Sequence, residues 1–223
     1  MLSRRRLAWV MAVVLMLAAV RLFGLQPLVV RASSMEPTLL AGDRLLANRL
    51  VAGTRIPGTV LRFRGFGGPG RGEVWVLRGR GRNGSSMIKR VIGLPGDVIE
   101  MRGRQLYVNG ERQVERYANW VGKAMESRDS FDWQREHLAP GAKESSYSPT
   151  GDTWGPLLVS DDSYFVLGDN RNASFDSRHW GMVDAHRMEA RAFLIYFSQG
   201  IAPGRELDAS VDVRWDRAGK RLR

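Results

Sequence analysis

Behind Arg4, Arg5 and Arg6 the chain runs uncharged and apolar from Leu7 to Val20, and no other stretch restricts its possible folds as strongly. A helix over residues 7–25 would be roughly 28 Å long at 1.5 Å per residue, close to the thickness of a bilayer's hydrocarbon core. Arg21 would then sit near the far end, where a long side chain reaches the headgroups. The leading arginines favour a cytoplasmic residue 1–6 segment and place the rest of the chain outside. A cleaved secretory signal is the other reading, with Ala18 and Ala19, or Val30 and Ala32, as the small residues before the cut. The first pair lies inside the apolar run and the second is interrupted by Arg31. A retained single-pass anchor over residues 7–25 is therefore the reading adopted.

After residue 30 the helical pattern stops and short β-rich runs replace it, at 44–48, 73–77, 87–92, 98–101, 105–108, 163–167 and 190–197. Turn signals separate them, among them the glycine-rich stretch 65–72, Pro95-Gly96-Asp97, Asn109-Gly110 and Gly168-Asp169-Asn170. Residues 98–101 and 105–108 read as a hairpin joined by Arg102-Gly103-Arg104. Many short strands with glycine-rich turns define a mainly β fold, a sandwich or barrel-like domain. Residues 26–111 and 156–203 form its core. Residues 112–155, polar and without periodicity, read as a cap or insertion. The tail at 204–223 is polar and basic and is expected to be partly disordered.

Cysteine is absent, which excludes disulfides, thiolate metal sites and a cysteine nucleophile. The three histidines, His137, His179 and His186, lack metal-ligand spacing. The formal net charge of +11 is nearly all arginine, spread over 55–82, 102–116 and 205–223. One reading is a solvated basic surface. The other is attraction to anionic phospholipid, which suits a domain tethered at a bilayer. Nucleic-acid binding would call for a recognisable binding motif, and none is found.

Three segments carry residues suited to catalysis. Ser33-Ser34-Met35-Glu36-Pro37-Thr38-Leu39 is polar first and apolar after, directly behind the anchor; as packing it is a turn set by Pro37. In the apolar run 87–92, Lys89 is one of only four lysines against thirty arginines. Strand alternation puts Lys89 on the face opposite Ile88 and Arg90, so an Arg90 facing water would turn Lys89 inward. A buried lysine loses hydration of its charged form and can serve as a general base, which arginine cannot. The competing reading is an edge-strand lysine in solvent. Ser34 with Lys89 makes a Ser–Lys pair available for attack on a peptide carbonyl. In the polar loop 168–181, Ser174 is placed to orient a neutral lysine, and Asp176 and Arg178 suit a charge-assisted pair. His179 beside Asp176 allows a Ser-His-Asp triad to be imagined, but no Gly-x-Ser-x-Gly elbow occurs.

Taken in order, Ser34-Met-Glu-Pro-Thr-Leu39, Arg71-Gly-Glu-Val-Trp-Val76, Lys89-Arg-Val-Ile-Gly-Leu-Pro-Gly-Asp97 and Gly168-Asp-Asn-Arg-Asn-Ala-Ser-Phe-Asp-Ser-Arg178 resemble the boxes of bacterial type I signal peptidases. With the anchor, the resemblance spans roughly residues 1–200 of the chain. It implies an antiparallel β catalytic core with a variable β cap at the outer face of the inner membrane. Ser34 would be the nucleophile, Lys89 the base, and Ser174, Asp176 and Arg178 their support. The expected partners are signal peptides of exported preproteins, cut after Ala-x-Ala-type sites, and anionic lipid. No cofactor or metal is expected. Val30, Ala32, Met35, Leu39, Leu45, Val76 and Ile88 would line the substrate pockets. The Ser34 amide would serve the oxyanion hole. Where some members carry a second hydroxyl donor, this chain has Ala32. Phe63, Phe66 and Trp75 are candidates to rest on the membrane, with core packing as the alternative for each.

Overall fold

The computed structural model describes residues 24–53, 65, 67–79, 84–122, 131–200 and 212–222, with Trp9 and Met11. The expected anchor over 7–25 thus lies almost wholly outside the described residues, as do Phe63 and Phe66. Among the described residues no helix is long and apolar enough to cross a membrane. Leu25, the last residue of the expected helix, is already the first of a strand.

That strand is β1 (Leu25–Val29), followed by β2 (Asp43–Asn48), β3 (Val74–Leu77) and β4 (Met87–Gly93). Next come β5 (Val98–Arg102), β6 (Gln105–Val108), β7 (Glu111–Arg112) and β8 (Trp154–Leu158). The chain continues through β9 (Ser163–Leu167), β10 (Val183–Asp184), β11 (Met188–Ser198) and β12 (Lys220–Arg221). All pairings between these strands are antiparallel. One eight-stranded sheet runs β1-β2-β11-β3-β4-β9-β10, with β12 also on β11, and a four-stranded sheet runs β7-β6-β5-β8.

The long sheet is covered on both faces. From β3, Val74 and Val76 join Val30, Met35, Leu39 and Leu45 on one side. Trp75 and Leu77 join Val91, Tyr164, Val166 and Met188 on the other. Trp75 is therefore a core residue with no exposed surface, not a membrane contact. Burying each large side chain of this kind stabilises the fold by roughly 1.5–3 kcal/mol. A third cluster packs Ile92, Phe165 and Leu167 against Ile99, Met101, Leu106 and Leu157, welding the small sheet to the large one.

The hairpin predicted around residue 103 is β5–β6, a two-residue loop of Gly103 (φ 54) and Arg104 (φ 71). Positive φ at both positions gives the turn whose twist matches the flanking strands. The region read as a cap is stitched to the core rather than set apart. Its end, Trp154, opens β8, Asn119 bridges Asn170, and Leu138 bridges Leu157. The described part of the tail, 212–222, is not disordered: β12 pairs with β11, and Leu222 and Arg217 are buried.

Candidate active site

The turn 33–39 explains its own polar-then-apolar sequence. Glu36 N donates to the Ser33 carbonyl (3.1 Å) and Leu39 N to that of Met35 (2.9 Å). Met35 and Leu39 are plugged into the core, which leaves Ser34 standing off it at the wall of a groove. To the same groove β4 delivers Lys89, whose Nζ donates to Ser34 Oγ at 2.9 Å. Only 4 % of Lys89 is exposed. Burial pushes its pKa below the ordinary lysine value; Asp176 and Asp169 pull it back up in part, while Arg178 opposes them. A lysine in that state is able to take a proton from the serine it touches.

Arg90 does not face water, the condition from which an inward Lys89 was argued; both side chains are buried. Arg90 is buried on the opposite face, with Nε and Nη2 donating to the two carboxylate oxygens of Asp169 at 2.8 and 2.7 Å. Its guanidinium also lies 4.0 Å from the centre of the Tyr117 ring. The sequence rule fails because this sheet has two dry faces, so alternation separates two interiors instead of core from solvent.

The loop after β9 closes the site. Asp176 caps the helical turn Ser177–Trp180 by accepting from Arg178 N. Its carboxylate also accepts from Arg178 Nε and Nη2 (both 2.9 Å) and from Gly168 N (3.0 Å). Burial alone would raise its pKa, but Arg178 and the Gly168 amide outweigh it and hold it at about 2. Asp176 and Arg178 thus form the expected pair. Ser174 is buried beside them, its Oγ without a hydrogen-bond partner, and Lys89 donates to Ser34 instead. His179 is stacked on Phe175 (5.3 Å between ring centres) and tilted against Phe131 (5.6 Å), while Ser34 is served by the lysine.

Sequence reasoning passed over three residues of this loop. The amide of Asn170 donates to the Ser34 carbonyl (3.1 Å), and its Nδ2 to that of Ser33 (3.4 Å). A Cβ on Gly168 would stand 2.5 Å from both Ser174 Cβ and the Ser34 carbonyl oxygen, and closer still to Ser174 Oγ. Only glycine lets the serine turn and the loop approach this closely. Arg171, fully buried at its side chain, pairs with Glu115 (2.6 Å) and so fastens the loop to the 112–155 region. The Gly-Asp-Asn signal was visible, but Asp169 finds Arg90 across 79 positions and Asn170 finds Ser33 across 137.

The groove has a volume of about 520 Å³ and is lined by Pro27–Ala32, Ser34, Met35 and Ser85–Lys89. Val30, Ala32, Met35 and Ile88 line it, as do Ser34 and Lys89. Leu39, Leu45 and Val76 do not; they are fully buried behind Val30 and Met35. Among the described residues no group of three His, Cys, Asp or Glu is placed to hold a metal ion.

A serine hydroxyl held by a buried lysine in an open groove is an arrangement for nucleophilic acyl transfer. Over residues 3–197 the chain matches the family described as signal peptidase, peptidase S26. It is 36 % identical over 174 residues to Signal peptidase I P of Bacillus subtilis subsp. natto, covering 77 % of each chain. It is 38 % identical over 172 residues to Signal peptidase I S of Bacillus subtilis strain 168, covering 77 % of this chain and 76 % of that one. Against Signal peptidase I of Pseudomonas aeruginosa the identity is 33 % over 201 residues, covering 83 % and 69 %. A signal peptidase I of solved structure, from Enterococcus faecalis V583, is 31 % identical and superposes with a TM-score of 0.37, over 55 % of this chain and 95 % of that one. The chain belongs to the signal peptidase family, peptidase S26, and is a serine peptidase.

Proposed function

We propose that this enzyme removes N-terminal signal peptides from exported preproteins, with Ser34 as nucleophile and Lys89 as general base. The observation that carries the reading is the 2.9 Å contact from Lys89 to Ser34, made by a buried lysine in a groove sized for an extended chain. The groove's walls favour a substrate bound as a strand. Pairing of β4 with β9 begins only at Arg90, which leaves the Met87–Lys89 edge open. Elsewhere in the lining, Val30 turns its amide and carbonyl toward Asp43 and Gly42. By the pleat, Val29 and Arg31 then turn theirs outward. Main-chain bonds would supply affinity, and shallow pockets at Val30, Ala32, Met35 and Ile88 would admit only small side chains, as an Ala-x-Ala site requires.

In the reaction, Ser34 Oγ attacks the scissile carbonyl as its proton passes to neutral Lys89. The Ser34 amide faces the oxygen that becomes negative, and Ala32 offers no hydroxyl to help it. Collapse breaks the C–N bond, Lys89 returns the proton to the leaving amine, and water then hydrolyses the acyl-enzyme with Lys89 again as base. Ser174, Asp176 and Arg178 would support the lysine: Asp176 and Arg178 by fixing the loop, and Ser174, whose buried hydroxyl has no hydrogen-bond partner, by orienting the neutral amine. Residues 7–25 would anchor the enzyme in the inner membrane as a single pass, with the catalytic domain outside and the excess arginine drawn to anionic lipid.

The test is cleavage of an Ala-x-Ala preprotein by the detergent-solubilised enzyme beside Ser34→Ala and Lys89→Ala. Release of the mature protein by wild type, with both variants folded and inert, is the expected result. Activity in Lys89→Ala would reassign the base.

A further inference from the structure

We infer that the C-terminal segment 212–222 is a positioning element for the nucleophile, acting through Arg217 and Arg214 on the turn that carries Ser34. The inference rests on Ser34 being that nucleophile. The segment lies beyond residues 3–197, over which the family model matches, so its role is not given by the motifs.

The turn leaves Ser34 and re-enters the sheet at Asp43, the first residue of β2, which is completely buried. The carboxylate of Asp43 accepts from Leu40 N (2.8 Å) and Ser198 Oγ (2.6 Å). Arg217 takes it in a fork, Nε at 3.0 Å and Nη2 at 2.6 Å, and the same Nη2 donates to the Thr38 carbonyl at 2.9 Å. Arg214 donates through Nη2 to the Ala41 carbonyl (2.6 Å) and through Nε to Ser198 Oγ (2.9 Å). Two guanidiniums from one segment thus grip the turn at 38, 41 and 43.

The opposite side of the same turn is held by the catalytic loop. Asn170 N donates to the Ser34 carbonyl, and Arg90, locked to Asp169, reaches Thr38 Oγ1 at 3.4 Å. Thr38 is therefore clamped at its hydroxyl from one side and at its carbonyl from the other. The segment has its own purchase: β12 pairs Lys220 with Ile195 and Arg221 with Leu194, and Leu222 is buried in the cluster that holds Met35 and Leu39. Closing that cluster needs only the leucine and the strand. Aiming a buried guanidinium at a buried carboxylate and a turn carbonyl is an expensive way to do it, which argues for a geometric role. Neither arginine lines the substrate groove. Val30 in the groove wall is tied to Gly42 and Asp43 through backbone bonds that do not use the Asp43 carboxylate, and the Ser85–Lys89 lining touches neither arginine. Loosening them therefore moves Ser34 relative to Lys89, and the loss falls mainly on kcat. Misplacement from a remote change of this kind costs up to about a hundredfold in rate.

The test uses the full-length detergent-solubilised enzyme and an Ala-x-Ala preprotein, with Arg217→Ala, Arg217→Lys and, as a control on the same segment, Trp215→Ala, whose side chain is exposed. Arg217→Ala is expected to lose about tenfold to a hundredfold in kcat with KM unchanged. Millimolar guanidinium ion should restore part of the loss, and Trp215→Ala should behave as wild type. Wild-type kcat in folded Arg217→Ala, or a joint loss of kcat and KM that guanidinium does not repair, overturns the inference. If Arg217→Ala does not fold, Arg217→Lys decides, since lysine keeps the charge but cannot form the fork: a kcat loss at constant KM supports the role and a wild-type kcat removes it. An active wild type with an inert Ser34→Ala keeps the proposed function whatever Arg217 does, whereas a wild type that leaves the preprotein uncut sinks both.

Discussion

Two successive residues of β4 are buried cations on opposite faces of one sheet, and the protein treats them in opposite ways. Arg90 has its charge answered by the Asp169 carboxylate at two points, and by the Gly72 carbonyl and the Tyr117 ring besides. Lys89 meets a neutral hydroxyl, with the Asp176 charge already committed to Arg178. A buried charge that is fully paired holds structure. One left without a carboxylate of its own sheds its proton more readily and becomes a base. Arginine cannot do the second job, since it stays protonated, and lysine cannot do the first as well, since it lacks the fork.

The largest expected effect tests the catalytic face. Lys89→Met should lower preprotein cleavage by at least about 10²–10⁴-fold, the usual contribution of a positioned base. It should also raise the denaturant midpoint, because a desolvated amine is replaced by an apolar side chain of similar length. A variant that loses stability instead would mean that Lys89 is held as firmly as Arg90, and the contrast would break. On the other face, Asp169→Ala should cost about 3–5 kcal/mol in chemical denaturation, the penalty for stranding a buried charge. A loss below 1 kcal/mol would place that pair with ordinary surface bridges.

The smallest effects are read with pH. Cleavage should rise with pH as Lys89 deprotonates, with a midpoint below the ordinary 10.5, and Lys89→Met should abolish that limb. Asp176 works in the acid range. Its folded pKa of about 2 lies under the ordinary 3.8, so its contribution is present above pH 4 and lost as pH falls toward 2. The loss is roughly 2 kcal/mol and should vanish in Asp176→Asn.

The strands with strong apolar alternation, such as β2 and the β5–β6 hairpin, were legible because local pattern and turn residues agreed on them. β1 was not, because Leu25–Val29 continues an apolar run that also reads as the end of a membrane helix. Ser34 and Lys89 stood out as a polar turn and a scarce residue type in an apolar strand, yet their contact spans 55 positions and no local pattern encodes it. Arg90 was misread because alternation says which residues share a face, not whether that face is wet. The order of residues 212–222 was not legible for a different reason. Their charge pattern is that of a solvated segment, and the partner that buries Arg217 is Asp43, 174 residues earlier.

The open edges of the groove carry a consequence for solution behaviour. A sheet margin able to receive any extended chain is equally able to receive the margin of a second molecule, the first step of sheet-to-sheet polymerisation. Pro27 lies on the groove-lining side of β1, where it supplies no amide, and Arg31 sets a positive charge beside the same opening. Two such margins brought together would meet a missing donor and like charges, whereas a short uncharged segment of a client meets neither. Pro27→Val should therefore make the purified enzyme form oligomers at concentrations where wild type stays monodisperse, as read by size-exclusion chromatography.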